Sequence, residues 1–303
     1  MKFEVFAPGT IGNVSSGFDI LGLAVDQMGD HFHFEDAKTY SIEAVGRDAS
    51  LVPTDPHRNT VTLAAEDFYQ LLGIPSRPFK LLIDRSLPLS GGLGSSAASS
   101  VAGALAAAKF ADALDRSDLI MKAALHAESA VSGMHLDNIA PCLLGGMVLV
   151  QDLEKLKVYP VPVNLEFWIT LITPDVKVKT KDARRVLASS LTTAQWTQQM
   201  AHCTTLALAM ARGDAEELAF GLKDTFAEPA RSSLIPHFNA AQENARALGA
   251  YGFSISGSGP TCFSLCPTEA VAKKVADAVK GIMGPATRSY VVRPRLSGAE
   301  ILS

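Results

Sequence analysis

Two hydrophobic periods divide the first half of the chain into predicted strands and helices. Short β-rich runs bounded by Gly, Asp and Pro predict strands, and apolar residues that recur every three or four positions predict helices. The predicted strands cover residues 3–6, 22–25, 31–35, 41–44, 79–84 and 145–151. The predicted helices cover residues 59–72, 97–114 and 117–132, with Ser117 as the N-cap of the third.

After Tyr159 the pattern starts again. Pro160 and Pro162 predict a linker, and the composition changes around them. Strands are then predicted over residues 166–173, 252–256, 261–265 and 289–292, and helices over residues 181–189, 193–211, 215–222, 236–248 and 268–283. Because strands and helices are mixed without a regular βαβ repeat, the pattern predicts an α+β protein. The change of composition at the linker predicts two domains, residues 1–158 and 159–303.

Composition narrows the class of protein. A hydrophobic content of 48% and a charged content of 19% over 303 residues are typical of a compact globular protein. The net charge of −4 argues against nucleic acid and anionic membranes as partners. The longest run of small apolar residues, 97–114, is interrupted by serines, Lys109 and Asp112, so it predicts no membrane span. Four cysteines without metal-ligand spacing indicate free thiols in a reducing cytoplasm.

The most informative segment is a loop rich in glycine and serine that precedes the second predicted helix. It comprises Pro88, Leu89, Ser90, Gly91, Gly92, Leu93, Gly94, Ser95, Ser96, Ala97 and Ala98. Glycines let backbone N–H groups surround an anion, and a helix N-terminus adds partial positive charge. The two adjacent serine hydroxyls can bond a phosphate oxygen or a magnesium ion. The loop therefore predicts a phosphate site, with a plain serine-capped turn as the alternative.

Two known phosphate-binding patterns are absent from this loop. No lysine follows the last glycine, which excludes a Walker A motif. The glycine spacing also differs from that of a dinucleotide-binding fold.

Glu128 is the first acidic candidate. It lies about 40° beyond Ala124 at the edge of the apolar face of the third predicted helix, at roughly 100° per residue. A carboxylate facing a core needs a partner, and a magnesium ion shared with phosphates would serve. The alternative is a glutamate at the rim that reaches solvent.

Two polar segments supply further candidates. His135, Asp137 and Asn138 lie between a helix end and an apolar strand, which predicts a loop facing a ligand or a simple turn. Asn13 and Asp19 belong to a glycine-rich segment, residues 7–19, between two strands. They could hold a small polar substrate or only shape the turn.

The second predicted domain contributes arginines and a turn. Arg184 and Arg231 could clamp a carboxylate through paired N–H donors, or lie on the surface. Residues 256–261, Ser-Gly-Ser-Gly-Pro-Thr, could approach a ligand closely or form a hairpin.

In their order along the chain, these segments resemble the GHMP small-molecule kinase family. The first family motif is matched by Pro8, Thr10, Asn13, Gly17, Phe18 and Asp19, the second by residues 92–98, and the third by residues 256–261. The segment from His135 to Pro141, Thr180 with Arg184, and residues 228–231 are similar to segments with which members of the family bind an amino acid.

The resemblance implies a two-lobed α+β fold, with an N-terminal domain like domain 2 of ribosomal protein S5 and a ferredoxin-like C-terminal domain. It implies ATP held by residues 88–98 with Asn59 near the adenine, and Mg²⁺ held by Ser96 and Glu128. The residues implied in substrate binding are Asn13, Asp19, His135, Asp137, Asn138, Thr180, Arg184, Arg231 and Gly257.

The implied activity is ATP-dependent phosphorylation of the side-chain hydroxyl of a small amino acid. Alternatives are a family member acting on mevalonate, a sugar or shikimate, or a kinase-like protein that binds without catalysis. Asn138 stands where some relatives have an aspartate base, and the first motif lacks a lysine. We therefore expect catalysis by alignment and charge neutralisation, with Asn138 and Asp19 at the reacting groups. The oligomeric state is left open, with a homodimer as one option.

Overall fold

The computed structural model describes residues 1–302, and these residues form two β-sheets with helices packed against them. The first sheet contains β1 (Lys2–Gly12), β2 (Leu21–Asp36), β3 (Ser41–Gly46), β4 (Phe79–Arg85), β5 (Met147–Asp152), β6 (Lys157–Val161) and β11 (Glu300–Leu302). The second contains β7 (Trp168–Thr173), β8 (Gly252–Ile255), β9 (Cys262–Cys266) and β10 (Arg288–Val292).

The strand order brings the chain ends together. The main path of the first sheet is β11-β1-β2-β4-β3, and a β5–β6 hairpin continues it from the start of β2. All its pairings are antiparallel except that of β3 with β4. The second sheet, in the order β10-β7-β9-β8, is antiparallel throughout. This arrangement confirms the predicted α+β class.

Ten α-helices cover these sheets within residues 1–302. Those of the first half are α1 (Thr60–Leu72), α2 (Ser95–Phe110), α3 (Ser117–Ser129) and α4 (Leu136–Leu144). Those of the second half are α5 (Thr180–Arg185), α6 (Thr193–Arg212), α7 (Ala215–Gly221), α8 (Ala227–Arg231), α9 (Phe238–Ala247) and α10 (Glu269–Met283). The Asn59 side chain caps α1 by accepting the Val61 N–H, and this hydrogen bond fixes Asn59 at the start of the helix.

Helix α2 is the centre of the first domain. It is built almost entirely of Ala, Ser and Gly, and most of these residues are fully buried. Small side chains allow α1, α3, α4 and β1 to approach it closely. At Gly103 a Cβ atom would lie 2.0 Å from the carbonyl oxygen of Val61, so α1 and α2 are in backbone contact there.

Three local predictions are wrong, and each failed for a physical reason. His135, Asp137 and Asn138 do not lie in a loop or a simple turn, because residues 136–144 form α4 and His135 is its N-cap. Its apolar residues pack against β1 and β2, and this burial outweighs the turn preference of Asp and Asn. Residues 22–25 and 31–35 belong to one 16-residue strand, β2. The polar residues around Gln27 interrupt its pairing with β1 locally, but they do not form a turn. Ser117 is the first residue of α3, whose N-cap is Arg116.

The predicted linker also contains structure. Lys157–Val161 pairs with β5, so a division at residue 158 falls inside a strand of the first sheet. We propose that the first domain extends to Val161 and regains β11 at the end of the chain, since β11 pairs with β1. Among residues 1–302, no helix combines the length and apolar character needed to cross a membrane.

Two helical glycines provide a test of the contact between α1 and α2. We expect Gly103→Ala to lower the free energy of unfolding by about 1–3 kcal/mol, because its methyl group meets the backbone of α1. Gly281→Ala in α10, where no atom lies within 4 Å of the added Cβ, should raise it by up to about 1 kcal/mol through helix propensity. Urea unfolding of both variants measures the difference. Equal shifts of the same sign would show that propensity alone acts at both sites.

Candidate active site

A cavity of about 540 Å³ is lined by residues from both halves of the chain. Most of the predicted site residues line it. They are Asn13, Asp19, Asn59, Leu89, Ser90, Gly91, Gly92, Gly94, Ser95, Ser96, Glu128, His135, Asp137, Asn138, Thr180, Arg184, Arg231 and Gly257. The structure therefore brings segments separated by more than two hundred residues to one place.

Four residues of the predicted nucleotide loop do not line the cavity. The side chains of Leu93, Ala97 and Ala98 are fully buried in the core, and Pro88 is also buried. Their side chains pack into the core and anchor the loop and the start of α2. A ligand would meet these four residues through their backbone and not through their side chains, and contact of the whole segment 88–98 with the cofactor stays a prediction.

The loop's shape depends on glycine at two positions and on contacts from both domains. Gly92 has φ +82° and Gly94 has φ +66°, values that side chains disfavour. At Gly94 a Cβ atom would lie 2.0 Å from Thr10 Oγ1. The Gly92 carbonyl accepts a 2.5 Å hydrogen bond from Ser256 Oγ, and the Gly91 carbonyl accepts the Thr261 N–H at 3.1 Å. The third motif therefore supports the loop that forms the second.

The start of α2 is suited to an anion. This 16-residue helix begins at Ser95, directly after the αL residue Gly94, and has no acidic residue in its first turn. Its first backbone N–H groups lack intrahelical partners, and the helix dipole adds positive potential there. The loop and the helix start thus form an anion-binding site that is open to the cavity.

Glu128 reaches the same place from α3. Its carboxylate accepts hydrogen bonds from Ser96 Oγ at 2.7 Å, from Ser100 Oγ at 3.4 Å and from Ser132 Oγ. Within residues 1–302 no basic side chain forms an ion pair with it, and burial raises its pKa. A buried carboxylate beside a hydroxyl offers the hard oxygen ligands that Mg²⁺ takes, with phosphate oxygens and waters completing its shell. The donor set therefore fits a cation that arrives with a phosphate group.

The remaining part of the cavity carries paired charges. Arg184 donates through Nη1 and Nη2 to the two carboxylate oxygens of Asp19, at 3.1 and 2.6 Å. Arg231 is buried, and its Nε and Nη1 donate to the carbonyls of Ala183 and Gly257. Both guanidinium groups lie over the ring of Phe18, at 5.4 and 5.2 Å from its centroid. Two cations and one carboxylate are thus fixed around one aromatic ring.

Two further titratable groups lie beside this cluster. Burial lowers the pKa of His135, and Arg184 and Arg231 act in the same direction against the opposing charge of Asp19. Burial raises the pKa of Asp137 to about 7, and the negative charge of Asp19 adds to this effect. Asp137 accepts the backbone N–H of Asn13 at 3.0 Å. Both pKa shifts favour the uncharged form of the side chain.

Asn138 is oriented by its neighbour Thr10. The Thr10 hydroxyl donates to Asn138 Oδ1 at 2.9 Å, which directs the amide nitrogen to other partners. Its one such contact among the described residues is a 3.5 Å hydrogen bond to Asp137 Oδ1. The Asn138 amide is a donor to the cavity, and it has no group that takes up a proton.

Several lining residues were not predicted. Those around Asn59 and the nucleotide loop are Leu51, Val52, Pro53, Arg58, Thr60, Ile83 and Arg85, and those opposite the loop include Lys179, Lys181 and Ser258. The apolar members carry no sequence signal beyond ordinary core residues. Phe18 was named as part of the first motif, but its contact with the two guanidinium groups was not predicted.

The comparisons with known proteins identify the class. The model of the GHMP kinases N-terminal domain matches residues 59–146, and that of the GHMP kinases C-terminal domain matches residues 206–285. The chain belongs to the GHMP kinase family and is a kinase, as the sequence resemblance predicted.

Individual relatives narrow the comparison. The chain is 36% identical over 266 residues to the homoserine kinase of Pyrococcus abyssi, an alignment that covers 88% of each protein. The crystal structure of homoserine kinase from Cytophaga hutchinsonii superposes with a TM-score of 0.92 at 34% identity, over 99% of this chain and 97% of that one. The mevalonate kinase of Methanococcus jannaschii, at 15% identity, a TM-score of 0.70 and coverage of 97% and 98%, shares the fold.

The environment of Asp137 predicts a pH-dependent stability. Its folded pKa of about 7 exceeds that of an unfolded aspartate, so the folded protein holds a proton that the unfolded chain releases. The proton on Asp137 contributes fully to the free energy of unfolding below pH 4. This contribution is lost as the pH rises to about 7, by at most about 1.4 kcal/mol per pH unit. We expect Asp137→Asn to remove this loss and to be more stable than the parent at pH 8.

Urea unfolding at pH 5, 6, 7 and 8 measures the difference between the Asp137→Asn variant and the parent protein. Asp118→Asn, at an exposed carboxylate whose pKa is lowered by Arg116, is the control and should give a constant difference over this range. A constant difference for Asp137→Asn as well would contradict the prediction.

Proposed function

We propose that this protein is an ATP-dependent homoserine kinase, which transfers the γ-phosphoryl group of ATP to the side-chain hydroxyl of L-homoserine. The products are O-phospho-L-homoserine and ADP, in a step of threonine biosynthesis. The observation that carries the proposal is the charge arrangement of Asp19, Arg184 and Arg231 in the cavity that also holds the glycine-rich loop. The homoserine kinases among the relatives support the same substrate.

The charge arrangement favours an amino acid over other alcohols. In the structure Asp19 occupies the fork of Arg184. A zwitterionic amino acid can replace this ion pair without changing the total charge, because its carboxylate binds the arginines and its ammonium group binds Asp19. Neutral sugars match neither group, and mevalonate has a carboxylate but no ammonium group. Asn13, His135, Asn138 and Thr180 are then available to orient the rest of the substrate.

The loop and the start of α2 are proposed to bind the triphosphate, with Asn59 beside the adenine. Ser96 and Glu128 would hold Mg²⁺, which neutralises charge on the phosphate oxygens when it is bound. The backbone N–H groups of the loop stabilise the same charge without further reorganisation. We also propose a cytoplasmic location, which the four free cysteines support.

Catalysis is proposed to depend on alignment and not on a strong general base. Asn138 accepts no proton, and Asp19 is charge-paired throughout: with Arg184 in the structure, and with the ammonium group of homoserine in the proposed complex. Phosphoryl transfer passes through a loose transition state in which the attacking hydroxyl needs little activation. Asp137 is the carboxylate that a base mechanism would use instead, because it lines the cavity and has a pKa of about 7.

The substrate is tested by ADP release with Mg-ATP and a panel of homoserine, mevalonate, galactose and shikimate. We expect turnover with homoserine. Arg184→Gln should raise the KM for homoserine by about tenfold or more, because a charge-assisted pair is lost, and leave the KM for ATP unchanged. Arg185→Gln, at the exposed arginine next to it, is the matched control and should behave like the parent. Turnover with another alcohol in preference to homoserine would contradict the proposal.

The mechanism is tested by Asn138→Ala, Asp19→Ala and Asp137→Asn. We expect Asn138→Ala to lower kcat by about 100-fold, the effect of losing one positioned donor, with the shape of the pH–rate profile unchanged. Asp19→Ala should act mainly on the KM for homoserine. If either aspartate variant loses all turnover while homoserine still binds by calorimetry, that aspartate is a general base and the alignment mechanism is wrong.

A further inference from the structure

Behind the glycine-rich loop lies a buried ion pair that belongs to none of the three motifs. Arg85 is the last residue of β4, and Asp30 lies on the neighbouring strand β2. Arg85 Nη2 and Asp30 Oδ2 are 3.2 Å apart, and their side chains are 2% and 0% exposed. Arg85 also lines the cavity.

The pair contacts both ends of the loop. Asp30 Oδ1 accepts the backbone N–H groups of Ser86 at 2.8 Å and Leu87 at 2.9 Å, directly before the loop. Arg85 Nη2 donates to Ser95 Oγ, at the first residue of α2 and directly after the loop's last glycine. One pair of charges therefore contacts both the segment directly before the loop and the start of α2.

Stability alone does not account for this pair. A buried ion pair contributes no more than well-packed apolar residues of the same volume, because both charges lose their hydration. Arg85 Nε is in addition buried without a hydrogen-bond partner among residues 1–302, which costs free energy. A group that is costly to bury and that lines a ligand cavity has a role toward the ligand.

The two adjacent serines of the loop differ in the partners that they have. An arginine has no acceptor, so Ser95 Oγ must accept the hydrogen bond from Arg85, and its own O–H proton is left to donate. A carboxylate has no donor, so Ser96 Oγ donates its proton to Glu128 and keeps its lone pairs free. A phosphate oxygen needs a donor, and a metal ion needs a lone pair.

We propose that Arg85 and Asp30 are positioning residues that hold Ser95 as a hydrogen-bond donor to a nucleotide phosphate, while Ser96 alone of the two serines is the metal ligand. This inference rests on the proposed function of the loop as a nucleotide site. It separates two hydroxyls that sequence reasoning treats as equivalent.

The separation is tested by ADP binding to the full-length protein, measured by calorimetry with Mg²⁺ and with EDTA. We expect Ser95→Ala to weaken ADP binding by about tenfold in both conditions, because a hydrogen bond to a charged group is lost. Ser96→Ala should leave the affinity in EDTA unchanged and remove the increase that Mg²⁺ produces. If Ser95→Ala weakens binding only when Mg²⁺ is present, Ser95 is a metal ligand and the proposal is wrong.

The role of the ion pair is tested by Asp30→Asn/Arg85→Gln, which removes both charges and keeps a polar side chain at each position. We expect this double variant to unfold cooperatively like the parent and yet to bind ADP about tenfold more weakly in EDTA. Adding Ser95→Ala to it should produce little further loss, since the residues act as one unit.

Lys80→Gln is the matched control, because Lys80 and Glu35 form an exposed pair across the same two strands. It should leave ADP binding unchanged. Parent-like ADP binding by the folded double variant would show that the pair is only structural, and would overturn the proposal. If the parent protein itself binds no ADP, the proposed function fails, and this inference fails with it.

Discussion

The turn between β8 and β9 is the contact on which the whole site depends. Through Ser256 and Thr261 it supports the carbonyls of two loop glycines. The Gly257 carbonyl accepts hydrogen bonds from Asn13 Nδ2 and Arg231 Nη1, both at 2.9 Å, and its N–H donates to the first motif. One turn of the second sheet thus contacts the glycine-rich loop, the first motif and Arg231 at the same time. A shift of the turn would therefore move the glycine-rich loop and Arg231 together.

The sequence predicted individual residues of this region from their side-chain chemistry, but it did not predict the contacts between them. Glu128 was identified because a carboxylate at the edge of an apolar face needs a partner, and Arg184 because paired N–H donors of arginine can clamp a carboxylate. Asp30 and Arg85 were missed, because an isolated aspartate and arginine on two strands carry no signal until the strands pair. The same limit applies to α4, where burial against β1 and β2 decides a segment whose local preference is for a turn.

The two ends of the cavity differ in charge: one lacks positive charge and the other has it in excess. Glu128 is a buried carboxylate without a basic partner among residues 1–302, so its raised pKa marks a deficit of positive charge that a divalent cation removes. Around Phe18 two guanidinium groups face one paired carboxylate, and burial lowers the pKa of the neighbouring His135, so this end carries an excess of positive charge.

A kinase without a strong base must obtain its rate from geometry. Positioning of two reactants can supply roughly 7–11 kcal/mol of barrier reduction, but only when the reacting atoms are held at near-contact distance. Here that precision cannot come from a flexible loop of glycines alone. It comes from rigid supports outside the loop: the turn around Gly257, the hydroxyl of Thr10 on Asn138, and the ion pair of Asp30 with Arg85. In the proposed mechanism, residues that do not touch the transferred group therefore determine how well it is transferred.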